Sequence, residues 1–491
     1  MGESLPEVRP QFNSSIEVEV RPGHLTSDAG VIALREAFER LGMVDWLKGH
    51  LVDKRSPLLI TYPLIELVTT AIYLLAQGYR DHDDSDALRQ DAALRLAVSE
   101  RRGVSPLIVP ERPEGKPPPK NPARPEHLPS QPTLSRMSAM LSDCESRKSL
   151  REGLAIAAGR RLRAQRCGNQ KMPCLTLDVD SLLVAVHGQQ PEATYNGHYK
   201  DTGYHPLVAV LGETGDLVDV DLRRGNAHTA EGALDFIEPL LDRLKSCAVC
   251  EVLAVRFDAG FPDEPTLKGL EQRGTPYVAR VKNNAVLNRM AAPYLVSPPG
   301  PRPAEPRTWF HEMTYRAKSW SRERRVVLVV FERKDELFPD HFWLITSWTP
   351  EEKEAKALLE MYRKRGTAEG HLGELLSALN PALSSSPRPG ETYAGQPIKT
   401  AYYSVDSFAV NEVRLLLNAW AYTAMHICRS ALEHAIGQGL SLQRLRDRVL
   451  KVAARVLVSG RRATFVIAQT SADLWRSLWT ELARLSCPNT A

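Results

Sequence analysis

The chain has 491 residues, too many for one ordinary core, so two or three domains are expected. Its 63 Lys and Arg against 59 Asp and Glu leave a net charge of only +4, which excludes bulk basicity as the means of holding a nucleic acid and requires local patches instead. The apolar stretch 57–79 is broken by Pro63 and Glu66 and reads as a buried helix, not a membrane span; the seven cysteines are scattered, and Cys247 with Cys250 has no matching pair for a zinc site.

In chain order, residues 14–20 read as a short strand. Thr26, Ser27 and Asp28 then offer caps for a helix over 29–41, with Val31, Ile32, Leu34, Ala37, Phe38 and Leu41 on one stripe. A nearly all-apolar helix follows at 63–77. In the loop 78–91, Asp81, His82, Asp83, Asp84 and Asp86 read as caps and helix-dipole partners, not as metal ligands. Ten prolines between 106 and 132 mark an extended linker. Residues 133–166 read as helical and end in the basic run 159–166, which suits either DNA phosphates or a charged helix end.

Residues 175–186 have the pattern of a largely buried strand, yet contain Asp178 and Asp180. Acids are depleted in strands, and a buried charge is paired or binds a cation. One reading has one acid facing solvent and both serving a turn at Asp180-Ser181; the other is functional. Runs at 204–211 and 217–222 form a hairpin through 212–215, and a helix at 229–245 precedes a strand ending at Asp258. A helix over 262–274 and a strand over 276–281 follow. An acid at the carboxyl end of a strand, before a crossover helix, stands where open α/β sheets bind ligands. His187, His198, His205 and His228 lie in this region, where polar loop histidines more often serve as hydrogen-bonded scaffolding.

A second proline-rich passage, 284–306, leads to three strand-like runs at 309–315, 325–332 and 341–347, near which Arg322, Arg324 and Arg325 suit DNA backbone contacts or a solvated edge. Residues 351–379 read as one helix on which Tyr362, Arg365 and Glu369 share a face within roughly 60°. Asp406 or Ser407 caps a long apolar helix over 408–434. The tail after Gly437 carries Arg444, Arg446, Arg448, Lys451 and Arg455 on a helix, then Arg461 and Arg462 in a hairpin turn, and is assigned to DNA or a subunit partner.

Three carboxylates delivered by two strands and a later helix suit two-metal phosphoryl chemistry, in which oxygen ligands hold Mg²⁺ or Mn²⁺ ions about 4 Å apart. Asp180-Ser181, Asp258-x-Gly-Phe261 and Tyr362-x-x-Arg365-x-x-x-Glu369 resemble the signatures of bacterial insertion-sequence DDE transposases. Leu25-Thr-Ser-Asp-Ala-Gly, Gly78-Tyr-Arg-Asp-His-Asp-Asp, Ser130-Gln-Pro-Thr-Leu-Ser-Arg, His187-Gly-Gln-Gln, Tyr195-Asn-Gly-His-Tyr and Arg224-Gly-Asn-Ala-His narrow the resemblance to the insertion sequence family numbered thirteen-eighty, over nearly the whole chain.

The resemblance implies an α/β fold with a ribonuclease H-like catalytic core, a β-rich insertion and an N-terminal helical domain. The boundaries it suggests are an end-binding helical domain at 1–103, the linker at 104–132 and a helical connector at 133–172. The core then occupies 173–283 and 351–436, with the insertion at 284–350 and a basic region at 437–491. Asp180, Asp258 and Glu369 would hold two Mg²⁺ ions, with Mn²⁺ able to substitute. Tyr362, Arg365, Arg280, Lys282, Asn283, Arg224 and His228 would contact DNA. The implied partners are double-stranded DNA at transposon ends and target and a second copy of the chain on that DNA, with no membrane. The implied location is a bacterial cytoplasm, at the nucleoid, which fits the cysteine usage and the lack of a signal peptide before Leu5-Pro6. The signature carries a lysine seven residues after its glutamate; here that position is Leu376, and Gly373 stands where a neighbouring basic residue is expected. Two alternatives stay open: a catalytically weakened DNA-binding regulator, and a ribonuclease H-like nuclease without strand transfer.

Overall fold

The computed structural model describes residues 23–100, 127–166, 171–186, 190–297, 305–333, 338–384, 407–459 and 462–485, with a few isolated positions besides. The strand expected at 14–20, most of the proline-rich linker, His187, Asp406 and Arg461 lie outside the described residues. Backbone contacts group the chain into two units: 1–39 with 53–137 and 427–483, and 40–52 with 138–426 and 484–491. No described helix is long and apolar enough to cross a membrane.

In the first unit the helices Val31–Arg40 and Leu64–Gln77 form where apolar residues repeat at helical spacing, and the second is buried along nearly its whole length. Asp28 is not the expected cap. It is fully buried and accepts from Lys451 Nζ at 2.7 Å and Tyr79 Oη at 2.9 Å. The strand His24–Thr26 pairs with Ala454–Ser459, which in turn pairs with Arg462–Ile467, so sequence from both ends of the chain builds one three-stranded sheet. The basic tail is therefore partly internal. Arg446, which is not on a long helix, is buried and donates to the Ala76 carbonyl at 2.9 Å, and Lys451 is committed to Asp28.

The second unit is built on an eight-stranded mixed sheet with helices on both faces. Its first helix, α1 (Cys144–Gln165), is separate from the helix Gln131–Met140, because Asp143 breaks the expected continuous helix and caps the new one by accepting from the Glu145 and Ser146 amides. Three of the four arginines in the basic run ending α1 already have partners within the fold. Arg161 is buried against Asp216, Arg160 donates to the Leu41 and Gly42 carbonyls, and Arg163 reaches the Cys247 carbonyl. Gly153 of α1 faces Trp46 and Trp420, and a Cβ there would fall 2.4 Å from both rings. We expect Gly153→Val to lower the urea unfolding free energy by about 1–3 kcal/mol, the usual cost of overpacking a filled core.

The strands are β1 (Met172–Ser181), β2 (Leu207–Leu211), β3 (Leu217–Asp221), β4 (Cys250–Phe257), β5 (Tyr277–Val281), β6 (Arg307–Tyr315), β7 (Arg324–Glu332) and β8 (Asp340–Thr346). They lie in the order β6-β7-β8-β5-β4-β1-β2-β3. β1, β4 and β5 run parallel; β2 and β3 return antiparallel on one side and β8, β7 and β6 on the other. β1 ends at Ser181, short of the expected Val186. The apolar run continues, but Val184–Ala185 joins a separate small sheet with Thr194–Asn196 and Asp201–Tyr204.

Alternation sorts the faces. Leu175, Leu177, Val179, Val255 and Phe257 point into the larger core, covered by α1, α2 (Ala233–Ser246), α3 (Glu264–Gln272) and α4 (Ala285–Ala291). α4 forms inside the expected proline-rich passage, capped by the Asn284 side chain. On the other face Ala254, Val278, Val327, Val329 and Leu344 pack against α5 (Ala355–Arg363). The single helix expected over 351–379 is instead α5, a break at Lys364, α6 (Arg365–Glu374) and a wide turn at Leu375–Leu379. The long helix α7 (Ser407–Ile436) follows. The arginines read as DNA backbone contacts or a solvated edge have acidic partners instead: Arg324 is buried between Glu264 and Glu271, Arg322 pairs with Glu271, and Arg325 with Glu312.

Candidate active site

Thr176, Asp178 and Asp180 alternate with the core residues of β1 and so share its opposite face. The parallel register sets Asp178 against Arg256 and Val179 against Phe257, and one step further Asp180 and Asp258 emerge together at the carboxyl ends of adjacent strands. Asp178 is the buried one of the first pair, and it is matched by a bidentate ion pair with Arg256. Burial pushes its carboxyl up to about 6, with the guanidinium opposing the rise.

Asp180 Oδ1 accepts from the Ser181 amide at 2.9 Å, and Oδ2 accepts from Arg365 Nη2 at 2.6 Å. The other Arg365 amino group, Nη1, donates to Glu369 Oε1, so one guanidinium ties the strand acid to the helix acid. Asp258 Oδ1 accepts from the Gly260 amide at 2.7 Å. A Cβ at Gly260 would lie 2.8 Å from Thr229 Cγ2 and 3.0 Å from Asp258 Oδ1, which explains the glycine of the Asp-x-Gly phrase. Burial raises the Asp180 carboxyl; Arg365 and the Ser181 amide oppose this, while the charges of Asp258 and Glu369 add to it. For Arg365, burial disfavours the cation, but Asp180, Glu369 and Asp258 outweigh it and raise its pKa. Asp258 and Glu369 are therefore both close enough for their charges to act on Asp180.

Among the described residues no three His, Cys, Asp or Glu side chains are gathered closely enough to form a ready metal cage. The donor chemistry nonetheless fits a hard divalent cation: all three side chains offer carboxylate oxygens, and the Arg365 guanidinium already occupies a cationic position between two of them, Asp180 and Glu369.

A groove of about 620 Å³ runs beside Glu369, lined by Arg280, Arg333, Arg363 and Arg365 with Phe342 and Tyr362. Tyr362 sits on α5 and Glu369 on α6, yet the break between them leaves both on this groove; the Tyr362 ring lies 6.3 Å from that of Phe342, and the Arg280 guanidinium lies over the Phe342 ring, 5.2 Å from its centroid. A second hollow of about 480 Å³ is lined by Asp180, Ser181, Tyr199 and Glu369, and its wall includes Gly373 and Leu376.

Arg280, Tyr362, Arg365 and the acids are thus brought together. Lys282 and Asn283 are exposed just past β5 and line neither hollow. Arg224 pairs with Glu231 at 2.8 Å, and exposed His228 accepts from the Ala230 amide through Nδ1; neither touches the acids among the described residues. His205 is scaffolding, its Nδ1 bonded to the Ala227 carbonyl at 2.9 Å. Sequence reasoning assigned nothing to Arg333, Arg363 or Tyr199. Tyr199 donates to the Ser181 carbonyl at 3.2 Å, and its phenol is raised by burial and then by the charges of Asp180 and Asp258. Its only signal was its place at the end of Tyr195-Asn-Gly-His-Tyr.

Three acids carried by two parallel strands and a following helix, on a sheet continued by antiparallel strands, place the chain among α/β proteins with a carboxylate site at the strand ends. The sequence matches the family transposase DDE domain group 1 over residues 8–387 and 395–487, and the chain belongs to that family. A solved structure, the piggyBac transposase synaptic complex with hairpin DNA, aligns with a TM-score of 0.39 and 12% identity, covering 96% of this chain and 89% of that one. No protein of curated function matches the chain.

Proposed function

We propose that the chain is the transposase of a bacterial insertion sequence of the family numbered thirteen-eighty, cutting at the element's terminal inverted repeats and joining the 3′ ends to target DNA. The observation that carries this reading is the Asp180–Arg365–Glu369 bridge beside Asp258. The strand order β3-β2-β1-β4-β5, with only β1, β4 and β5 parallel, supports reading the core as ribonuclease H-like.

Asp180, Asp258 and Glu369 are the residues that would hold two Mg²⁺ ions, or Mn²⁺, which when bound supply an activated water and charge compensation for the leaving oxygen. Arg365 keeps two of these acids aligned and partly neutralised before substrate arrives. Arg280 and Arg363 give the adjoining groove the charge to hold a DNA strand by its phosphates, without reading sequence. Tyr362 stacks within that groove, and Tyr199 closes the opposite side of the acids. Joining two ends to one target implies a dimer or larger assembly on DNA.

The test is a Mg²⁺-dependent cleavage assay on DNA carrying the inverted repeats that flank the gene. Cutting at the repeat boundary that disappears in Asp180→Ala is the expected result. Specific binding without cutting in Mg²⁺ or Mn²⁺ would favour a regulator instead, the reading suggested by Leu376 in the wall of the smaller hollow.

A further inference from the structure

Arg256 and Asp178 lie one strand position pair before the two strand acids: Asp178 precedes Asp180 by two residues on β1, and Arg256 precedes Asp258 by two on β4. Their side chains are 1% and 4% exposed. The guanidinium donates through Nε to Asp178 Oδ1 and through Nη2 to Asp178 Oδ2, both at 2.5 Å. Its third nitrogen, Nη1, donates to the Met361 carbonyl in the last turn of α5, where carbonyls lack a partner within the helix. Arg365 and Glu369 follow directly beyond that turn. One side chain on β4, the strand that leads to Asp258, thus holds β1, which carries Asp180, and the end of α5, which leads directly into the helix of Glu369. The hairpin between β2 and β3 makes room for it: a Cβ on Gly212 would fall 2.5 Å from Asp178 Oδ2 and 2.6 Å from Arg256 Nη2.

Stability alone is a poor account of this pair, because well-packed apolar residues in place of a buried ion pair are often neutral or stabilising. We propose that Arg256, clamped by Asp178, is a positioning residue that fixes the separation of Asp180, Asp258 and Glu369 and so sets the affinity of their site for divalent cations. The inference rests on the reading of those three acids as cation ligands. It differs from the part given to Arg365, which touches the acids themselves; Arg256 acts behind them, through the backbone.

The experiment measures Mn²⁺ binding to the full chain by electron paramagnetic resonance titration of the free ion, with unfolding followed by circular dichroism. Wild type and Asp180→Asn define the site: binding in the first, lost in the second. Two variants probe the strut. Arg256→Lys keeps the charge but cannot reach Asp178 and Met361 together. The double variant Asp178→Leu with Arg256→Met replaces the pair by apolar groups. Both are expected to fold, the double variant with an unchanged or higher melting temperature, and both to bind Mn²⁺ about 10–100-fold more weakly, as loss of a partner behind a metal ligand does. Wild-type Mn²⁺ affinity in either folded variant overturns the proposal. Failure of both to fold overturns it as well, since the pair would then be a stability element. Absence of Asp180-dependent binding in the wild type strikes the cation-site reading itself, an outcome separate from retained affinity in the strut variants.

Discussion

Glu369→Gln is expected to abolish strand cleavage while leaving binding to terminal-repeat DNA intact. The substitution keeps the shape of the side chain and an oxygen to accept from Arg365, and it removes one of the three negative charges that, on the proposed reading, would hold the cations. Loss of a mere hydrogen-bond partner of a metal ligand costs roughly 10–100-fold in affinity or activity, so loss of a ligand itself should exceed about 100-fold in cleavage rate. End binding, on the proposed reading, would be carried by cationic groups and should persist, because an acid makes no phosphate contact. Gel-shift and cleavage assays on the same preparation check both halves. Simultaneous loss of binding and cutting would mean that Glu369 supports the fold of α6 and not the chemistry.

Replacing Arg280 and Arg363 together by Ala is expected to weaken DNA binding and flatten its dependence on salt. Both side chains are exposed on the groove beside Glu369. Each phosphate contact contributes about 0.9 to the slope of log affinity against log salt, so the double variant should lose about 2 from that slope. The loss should be similar for terminal-repeat and unrelated DNA, since phosphate contacts carry no sequence information. A binding isotherm series from low to moderate salt measures it, and an unchanged slope would move the DNA path away from this groove.

Much of the sheet was legible because its central strands are covered on both faces. β1, β4 and β5 are short apolar runs bounded by turn residues, and acids within or just after such runs stand out against their surroundings. The end of β1 was not legible: Leu182 to Val186 stays apolar, and nothing local says that the chain leaves one sheet for another. The break at Lys364 was equally silent, since Arg363, Lys364 and Arg365 are all good helix formers and Lys364 itself keeps a right-handed helical backbone, with φ −63° and ψ −10°. Arginines were the hardest residues to place. Arg161, Arg324 and Arg446 look like solvated or DNA-facing charge in the sequence, yet each is buried against an acid or a carbonyl supplied from far along the chain. For the site, spacing put Arg365 and Glu369 one helical turn apart, but only the fold puts Asp180 on the same guanidinium and Tyr199 beside it.

The antiparallel strands between Val281 and Ala355 do not form a separate lobe. β8 pairs along β5, and β7 and β6 continue outward, so this stretch is part of the same hydrogen-bonded sheet that carries Asp180 and Asp258. Trimming it to shorten the protein would strip β5 of its ladder partner and convert a central strand into a raw edge with open amide and carbonyl groups, a template for aggregation. It would also take away Phe342, Arg333 and one wall of the arginine-lined groove. Length in this protein can be changed at the outer margin of β6, but not at the seam with β5.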